Sequence, residues 1–318
     1  MNKILLACLA LFSLHTAVHA IDKISIGVPE LNAQFVPLAL AEKRGFFRED
    51  GLQGEVIRIN PTVVLAALVS GELDYWTVIG NSVAAAIQGV PLRVLACYVS
   101  GSPSALIARP EFKSVQELRG KAIGLNTSGG ALESTARLIF KHFGLDPDKE
   151  IKFLALGTSE RRFSAMKQGL TAATMGSPPL DYLGKKTGFV VLARAHELFS
   201  YPTSGVIASV KKIKERPEEI KRVIKAGIKA TRYIRQDREG TIQSIIEWTK
   251  ADKERATAGY ESVSKLFNDD GSVPEKGLLL VIDELKKLAK LEREISPSEV
   301  ADLSILREAQ KELGTSGR

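Results

Sequence analysis

The sequence predicts an α/β protein of two similar lobes, each a mostly parallel sheet flanked by helices, facing each other across a cleft. Three observations carry this expectation. Short apolar or alternating runs are separated by amphipathic helical stretches, the pattern of β-α-β units. The same order of strand, turn and helix occurs twice. Glycines recur at a nearly constant offset: Gly27 and Gly124 are 97 apart, Gly45 and Gly144 are 99 apart, and Gly71 and Gly169 are 98 apart. Two copies of such length read as paired lobes and not as a solenoid of short repeats.

The first unit opens with an alternating strand at 23–28. A turn at 29–32 follows, then a helix carrying Phe35, Leu38 and Ala39 that ends near Gly45, glycine being the expected residue just past a helix end. A second strand is expected at 54–59, a short apolar helix at 62–70, a third strand at 74–79, a helix at 83–88 opened by Gly80-Asn81-Ser82, and a fourth strand at 92–99. The second unit repeats this plan with strands at 121–125, 151–156, 172–175 and 189–193, and with helices after Gly130, at 161–168 and after Pro179. Residues 204–209 suit a further strand. From Pro217 the chain turns helical and charged. Pro217 suits a first helical position, with Glu218 and Glu219 in the positive first turn. Further helices are expected at 240–250, 253–267, 274–291 and 298–313, packing on the first lobe. The domain reading is therefore 21–104 plus 205–318 for lobe one and 105–204 for lobe two.

Residues 1–20 are set apart. Lys3 precedes an apolar run at 4–14 that is too short to span a bilayer, and Val18-His19-Ala20 offers small residues at a signal-peptidase site. A cleaved export signal is expected, placing the rest of the chain in the periplasm. Too little apolar sequence precedes Cys8 for a lipid anchor. Only Cys97 then remains, so no internal disulfide can form, and its place in the apolar run 92–99 reads as a buried strand residue. The formal net charge of +7 over 318 residues is a mild excess that favours an anionic partner. The basic segment 211–235 lacks interleaved aromatics and reads as a solvated helix face, not a nucleic-acid site. With His142 and His196 as the histidines beyond residue 20, and no HExxH, CxxC, GxSxG or P-loop pattern, neither a metal, a cofactor nor a catalytic residue is expected.

Open parallel sheets bind ligands beyond the carboxyl ends of their strands, where strand-to-helix turns aim backbone N–H groups at a common point. Four such turns stand out, two per unit: Leu31-Asn32-Ala33-Gln34, Gly80-Asn81-Ser82, Ser128-Gly129-Gly130 and Gly176-Ser177-Pro178. Each also suits a simple helix cap, and the two roles are compatible because several N–H groups are free at every helix start. Their recurrence at equivalent places in both units favours binding. Phe35, Tyr98 and Tyr201 lie close by in sequence and suit the walls of a small-ligand pocket.

Phe35-Val36-Pro37 with Ala41-Glu42, Gly45-Phe46-Phe47 and Gly51-Leu52 resembles the opening of the nitrate/sulfonate/taurine group of ABC-transporter substrate-binding proteins, which includes thiamine-pyrimidine-like members. Ala67-Leu68-Val69-Ser70-Gly71-Glu72-Leu73-Asp74 is similar to its second signature. Gly120-Lys121-x-Ile123-Gly124 and Gly144-Leu145-Asp146-Pro147 fit as well, so the resemblance runs from about residue 23 to about 235. It implies a type II periplasmic binding protein fold, capture of a small ligand by lobe closure, and delivery to an inner-membrane permease by a monomeric, non-enzymatic carrier. It implies ligand contacts from the four turns: Asn32, Gln34, Phe35; Gly80, Asn81, Ser82; Ser128, Gly129, Gly130; and Ser177, with Tyr98 and Tyr201. An anionic organic ligand, sulfonate- or carboxylate-like, is expected, although the Ser128-Gly129-Gly130 turn holds no Arg or Lys. The alternatives are an enzyme on the same fold, as in pyrimidine or menaquinone pathways, and an extracellular ligand sensor.

Overall fold

The computed structural model describes residues 21–314, so the export signal read at 1–20 lies outside the described residues. Ten strands are described: β1 (Asp22–Val28), β2 (Leu52–Arg58), β3 (Tyr75–Val78), β4 (Leu92–Val99), β5 (Ala105–Ala108), β6 (Ala122–Leu125), β7 (Lys152–Ala155), β8 (Ala173–Gly176), β9 (Val190–Arg194) and β10 (Ser204–Ser209). They form two five-stranded sheets, ordered β2-β1-β3-β10-β4 and β7-β6-β8-β5-β9. In the first sheet β1 runs parallel to β2 and β3, while β10 is antiparallel to both β3 and β4. In the second, β6 runs parallel to β7 and β8, while β5 is antiparallel to β8 and β9. The two sheets thus share one topology, as two copies of the strand, turn and helix order marked by the glycine offsets require. At four of the offset glycines, Gly45, Gly71, Gly144 and Gly169, the chain is left-handed (φ 81°, 84°, 78° and 79°) as it leaves the helices Val36–Lys43, Pro61–Ser70, Ala131–His142 and Ser159–Lys167. A Cβ would strain each of those turns.

Each sheet carries one antiparallel strand lent by the chain as it crosses over. The chain leaves the first sheet after β4, enters the second as β5, and returns from β9 through the helix Ala195–Leu198 to β10. Strand β5 is not legible as a strand beforehand. Its four residues are all buried, apolar and closely flanked by Pro103 and Pro110, so neither alternation nor length marks it. A second difference falls at Gly80-Asn81-Ser82. Strand β3 stops at Val78, and these three residues form the first turn of a helix, Ile79–Ala86, instead of preceding one. The Ile79 N–H is held at 3.0 Å by the Thr203 carbonyl of the returning crossover, which lets the helix begin directly at the strand end.

Both faces of each sheet are covered, and strand alternation sorts side chains between them. In the first sheet Ile24, Ile26, Tyr75, Tyr98 and Val206 face the helices Val36–Lys43 and Pro217–Gln236. Trp76, Cys97 and Ile207 face the helices Pro61–Ser70, Ile79–Ala86 and Glu275–Leu288. In the second sheet Leu106 and Ala108 pack with Ile139 and Phe140 of the helix Ala131–His142, and Ile107 packs on the other face with Met166 and Leu180. Cys97 is fully buried, and burial pushes its thiol up to about 12.

A buried polar knot ties the C-terminal helices to the first sheet. Glu219, 3% exposed, meets Lys212 Nζ at 2.6 Å and Arg216 Nη2 at 3.0 Å and accepts a hydrogen bond from Tyr75 Oη at 2.7 Å. Lys212 also meets Asp74 at 2.7 Å, whose other oxygen accepts from the backbone and hydroxyl of Ser25. Removing one member of such a buried pair leaves its partners desolvated and unpaired. Glu219→Ala is therefore expected to lower stability by about 3 kcal/mol, seen as a fall in the urea midpoint. An unchanged midpoint would show that the knot contributes nothing net.

Candidate ligand-binding site

A cavity of about 100 Å³ lies between the lobes. Its walls come from the carboxyl ends of parallel strands and from both crossovers. Pro29 and Glu30 follow β1, Pro61 follows β2, Val78, Gly80 and Asn81 close β3, Asn126 follows β6, and Ser177 follows β8. Ser102 and Ser104 come from the first crossover, Tyr201 and Thr203 from the second. The chain order explains the convergence: both sheets present the same edge of their strands to the gap, as doubly wound sheets do.

The principal charge in this cavity is Arg162, which follows β7 in the first turn of the helix Ser159–Lys167. It is 1% exposed. Its guanidinium donates only to neutral oxygens: Met175 O at 3.2 Å, Ser159 Oγ at 3.0 Å, and the Gly157 carbonyl. Burial holds its pKa below the usual guanidinium value, against the opposing pull of the Glu30 and Glu160 charges. A buried cation without a direct counter-ion is costly, and an anion entering the cavity relieves that cost. The helix Ile79–Ala86 adds to this from the other lobe. Helix geometry leaves the N–H groups of its first residues without intrahelical partners; Ile79 is held by Thr203, which leaves those of Gly80 and Asn81 at the cavity wall.

Of the residues expected from the four turns, Gln34, Phe35, Gly80, Asn81, Ser177 and Tyr201 line this cavity. Tyr201 is fully buried and donates to Ser134 Oγ at 3.1 Å, and burial pushes its phenol up to about 12, so it stays protonated at neutral pH. The remaining residues lie elsewhere. Asn32 sits behind the wall as the cap of the turn Ala33–Phe35, its Oδ1 accepting from Gln34 N at 3.0 Å. Ser82 turns inward and donates to the Val78 carbonyl at 2.9 Å. Tyr98 is a core residue under the helix Pro217–Gln236, donating to Ile224 O at 3.2 Å; the parity of β4 points it to the sheet face and not to the strand end. Ser128, Gly129 and Gly130 line an adjoining groove of about 240 Å³ with Trp76, Asn81 and Pro61. There the Gly129 N–H is already taken, at 2.8 Å, by the carboxylate of Glu133, which in turn pairs with Arg137. The helix start that seemed open to an external anion thus carries an internal one.

Sequence reasoning missed Arg162, Glu30, Asn126 and the crossover residues Ser102, Ser104 and Thr203. For Arg162 a signal was present. Leu156-Gly157-Thr158-Ser159 is a fifth strand-to-helix turn, and two arginines follow within one helical turn.

The lobes also meet away from the cavity. Tyr182 Oη and Lys186 Nζ from beyond β8 reach Glu254, and Ser262 Oγ lies 3.4 Å from Asp181. Lys141 Nζ meets the buried Glu284 at 2.7 Å. Among the described residues no cluster of three or more His, Cys, Asp or Glu is placed to hold a metal ion, and no helix is long and apolar enough to cross a membrane.

Two mixed sheets of common topology, joined by two crossovers and closing over their strand ends, make up the periplasmic binding protein fold. Among solved structures, the periplasmic nitrate-binding protein of Synechocystis PCC 6803 matches with a TM-score of 0.76 at 15% identity, over 92% of this chain and 89% of that one. The profile of the family described as NMT1/THI5 like matches residues 32–240, and the chain belongs to that family. A Brucella abortus relative assigned as a binding protein is 25% identical over 258 residues, 79% of this chain and 75% of the relative. The 4-amino-5-hydroxymethyl-2-methylpyrimidine phosphate synthase of Saccharomyces cerevisiae is 24% identical over 226 residues, 64% of each chain.

Proposed function

We propose that this chain is the solute-binding component of an ABC importer. It captures a small organic anion between its lobes outside the cytoplasm, as a monomer, and hands it unchanged to an inner-membrane permease. The observation that carries the reading is Arg162, buried in the interlobe cavity with only neutral acceptors around it. A sulfonate or carboxylate supplies the missing charge and several lone pairs for the guanidinium and for the N–H groups of Gly80 and Asn81. The likeness in fold to a nitrate-binding protein and the Brucella binding-protein relative support the same class.

The yeast relative favours a second reading, an enzyme acting on a pyrimidine precursor. Against it, the ionisable side chains at the cavity are Arg162, Glu30 and the high-pKa Tyr201, with neither His nor Cys among the lining residues. A thermal-shift series with nitrate, sulfonates, carboxylates and pyrimidines separates the two. A cognate anion at 100 times its Kd is expected to add about 2.7 kcal/mol, a rise of several degrees in Tm, and to be recovered unchanged. Stabilisation by a neutral pyrimidine alone would remove the anion from the reading, and turnover of the pyrimidine would remove the importer reading.

A further inference from the structure

The helix Ala131–His142 of lobe two is buried on two sides. Its residues Ile139 and Phe140 pack under the second sheet, while Ala131, Ser134, Leu138 and Lys141, spaced three, four and three apart, share a different stripe of the helix. Each member of that stripe meets lobe one or the returning crossover. Gly80 lies so close to Ala131 that an added Cβ would stand 2.6 Å from the alanine methyl. Ser134, fully buried, accepts from Tyr201 Oη at 3.1 Å. Leu138, 9% exposed, joins the apolar cluster of Val83, Leu278 and Ile282 in lobe one. Lys141 Nζ ends the stripe on Glu284 Oε2 at 2.7 Å.

Glu284 makes this seam a two-state element. Its side chain is 3% exposed on the helix Glu275–Leu288 of lobe one, and its other oxygen has Lys287 Nζ, one turn along the same helix, at 3.4 Å. Separation of the lobes leaves Lys287 in place and removes the shorter contact, that to Lys141. A carboxylate that loses its close partner is tolerated only once water reaches it. The seam is therefore stable when shut, with Leu138 covered and Glu284 paired, or when wide apart and hydrated; a partial opening is the costly arrangement. The interlobe pair of Lys186 with Glu254 differs, being more than half exposed on both sides, and such pairs contribute little. We infer that Lys141 and Glu284 are a closure lock that, with Leu138, holds the lobes together before a ligand arrives. Neither Lys141 nor Glu284 lines the cavity, so the lock does not depend on which ligand enters it.

Small-angle scattering of the full chain without added ligand reads the lock directly. The native protein is expected to scatter as the closed form. Lys141→Met is expected to lower the closed-to-open ratio about tenfold, the lower end for a hydrogen bond between charged groups, because Lys141 is 38% exposed. Lys141→Glu sets a second carboxylate against Glu284 and is expected to leave the molecule mainly open. Lys186→Glu makes the same charge change at the exposed pair and is expected to alter the ratio by about threefold at most. Glu284→Met added to Lys141→Met leaves no stranded charge and is expected to bring the ratio back to within about threefold of native. A native protein that scatters as an open molecule, Lys141→Glu that scatters as the native protein does, or Lys186→Glu that opens the lobes as far would each overturn the lock. A double variant as open as Lys141→Met would overturn the part given to the charge pair and assign the loss to packing.

Discussion

Replacing Arg162 by Met is expected to abolish the ligand-induced thermal shift while leaving the Tm of the ligand-free protein nearly unchanged. Truncating one partner of a buried, hydrogen-bonded charge pair typically costs 2–5 kcal/mol of binding; about 3 kcal/mol corresponds to roughly a hundredfold loss of affinity. The ligand-free protein responds to two opposing terms. Removing the guanidinium takes one donor from the Gly157 carbonyl and one from the Met175 carbonyl, which keeps the Thr174 hydroxyl at 3.3 Å, at about 1 kcal/mol for each lost bond. It also removes a desolvated charge that lacks a direct counter-ion, which offsets that loss. Arg162→Lys is expected to recover little, since an ammonium cannot reproduce a planar fork that reaches backbone oxygens on one side and a bound anion on the other. Calorimetry at saturating native ligand decides the matter. Affinity within threefold of native in Arg162→Met would place the anion elsewhere in the cleft.

The route from sequence to this site shows which parts of a two-lobed architecture are local. Four of the six offset glycines close helices left-handed at similar distances from their strands, so the doubling of the strand, turn and helix order was legible before any packing was known, whereas the sheet order, with its antiparallel β5 and β10, was not. Gln34, Phe35, Gly80, Asn81 and Ser177 were legible for a related reason: residues immediately after parallel strands converge wherever the sheets are placed. Arg162 was not, because its role depends on which side of a helix faces the gap. Arg161, its neighbour with the same chemistry, is exposed. Tyr98 fails in the opposite sense. Its position at a strand end suggested the cleft, but strand parity, set by the pairing of β4 with β10, turns it into the core. Ser102, Ser104 and Thr203 belong to crossovers whose course is fixed only once both lobes exist, and a local pattern carries no trace of them. Glu133 illustrates a further limit. An acid in a first helical turn is ordinary, yet here it occupies the N–H that an external ligand was expected to use.

The closed arrangement itself depends on the absence of one side chain. Gly80 belongs to the first helical turn after β3 on lobe one, and Ala131 opens the helix that follows β6 on lobe two. A Cβ placed on Gly80 would lie 2.6 Å from Ala131 Cβ, and 3.5 Å from both Ala131 Cα and Tyr201 Oη. The first distance is far inside van der Waals contact. Within either lobe nothing else crowds the position, so the least costly relief is a small rotation about the crossovers that separates the lobes. Gly80→Ala is therefore expected to leave the open protein as stable as native or slightly more so, since alanine favours a helix. It is expected to penalise closure by about 2 kcal/mol, a typical overpacking cost. A ligand that binds the closed form then loses about thirtyfold in affinity. Small-angle scattering with ligand present is expected to show a larger radius of gyration for the variant than for the native protein at the same ligand concentration. The second substitution Ala131→Gly removes the opposing methyl and is expected to restore both readouts. If the double variant stayed as weak as Gly80→Ala, contact between these two helix starts would not be what limits closure, and the variant would owe its weakness to the N–H groups at the cavity wall.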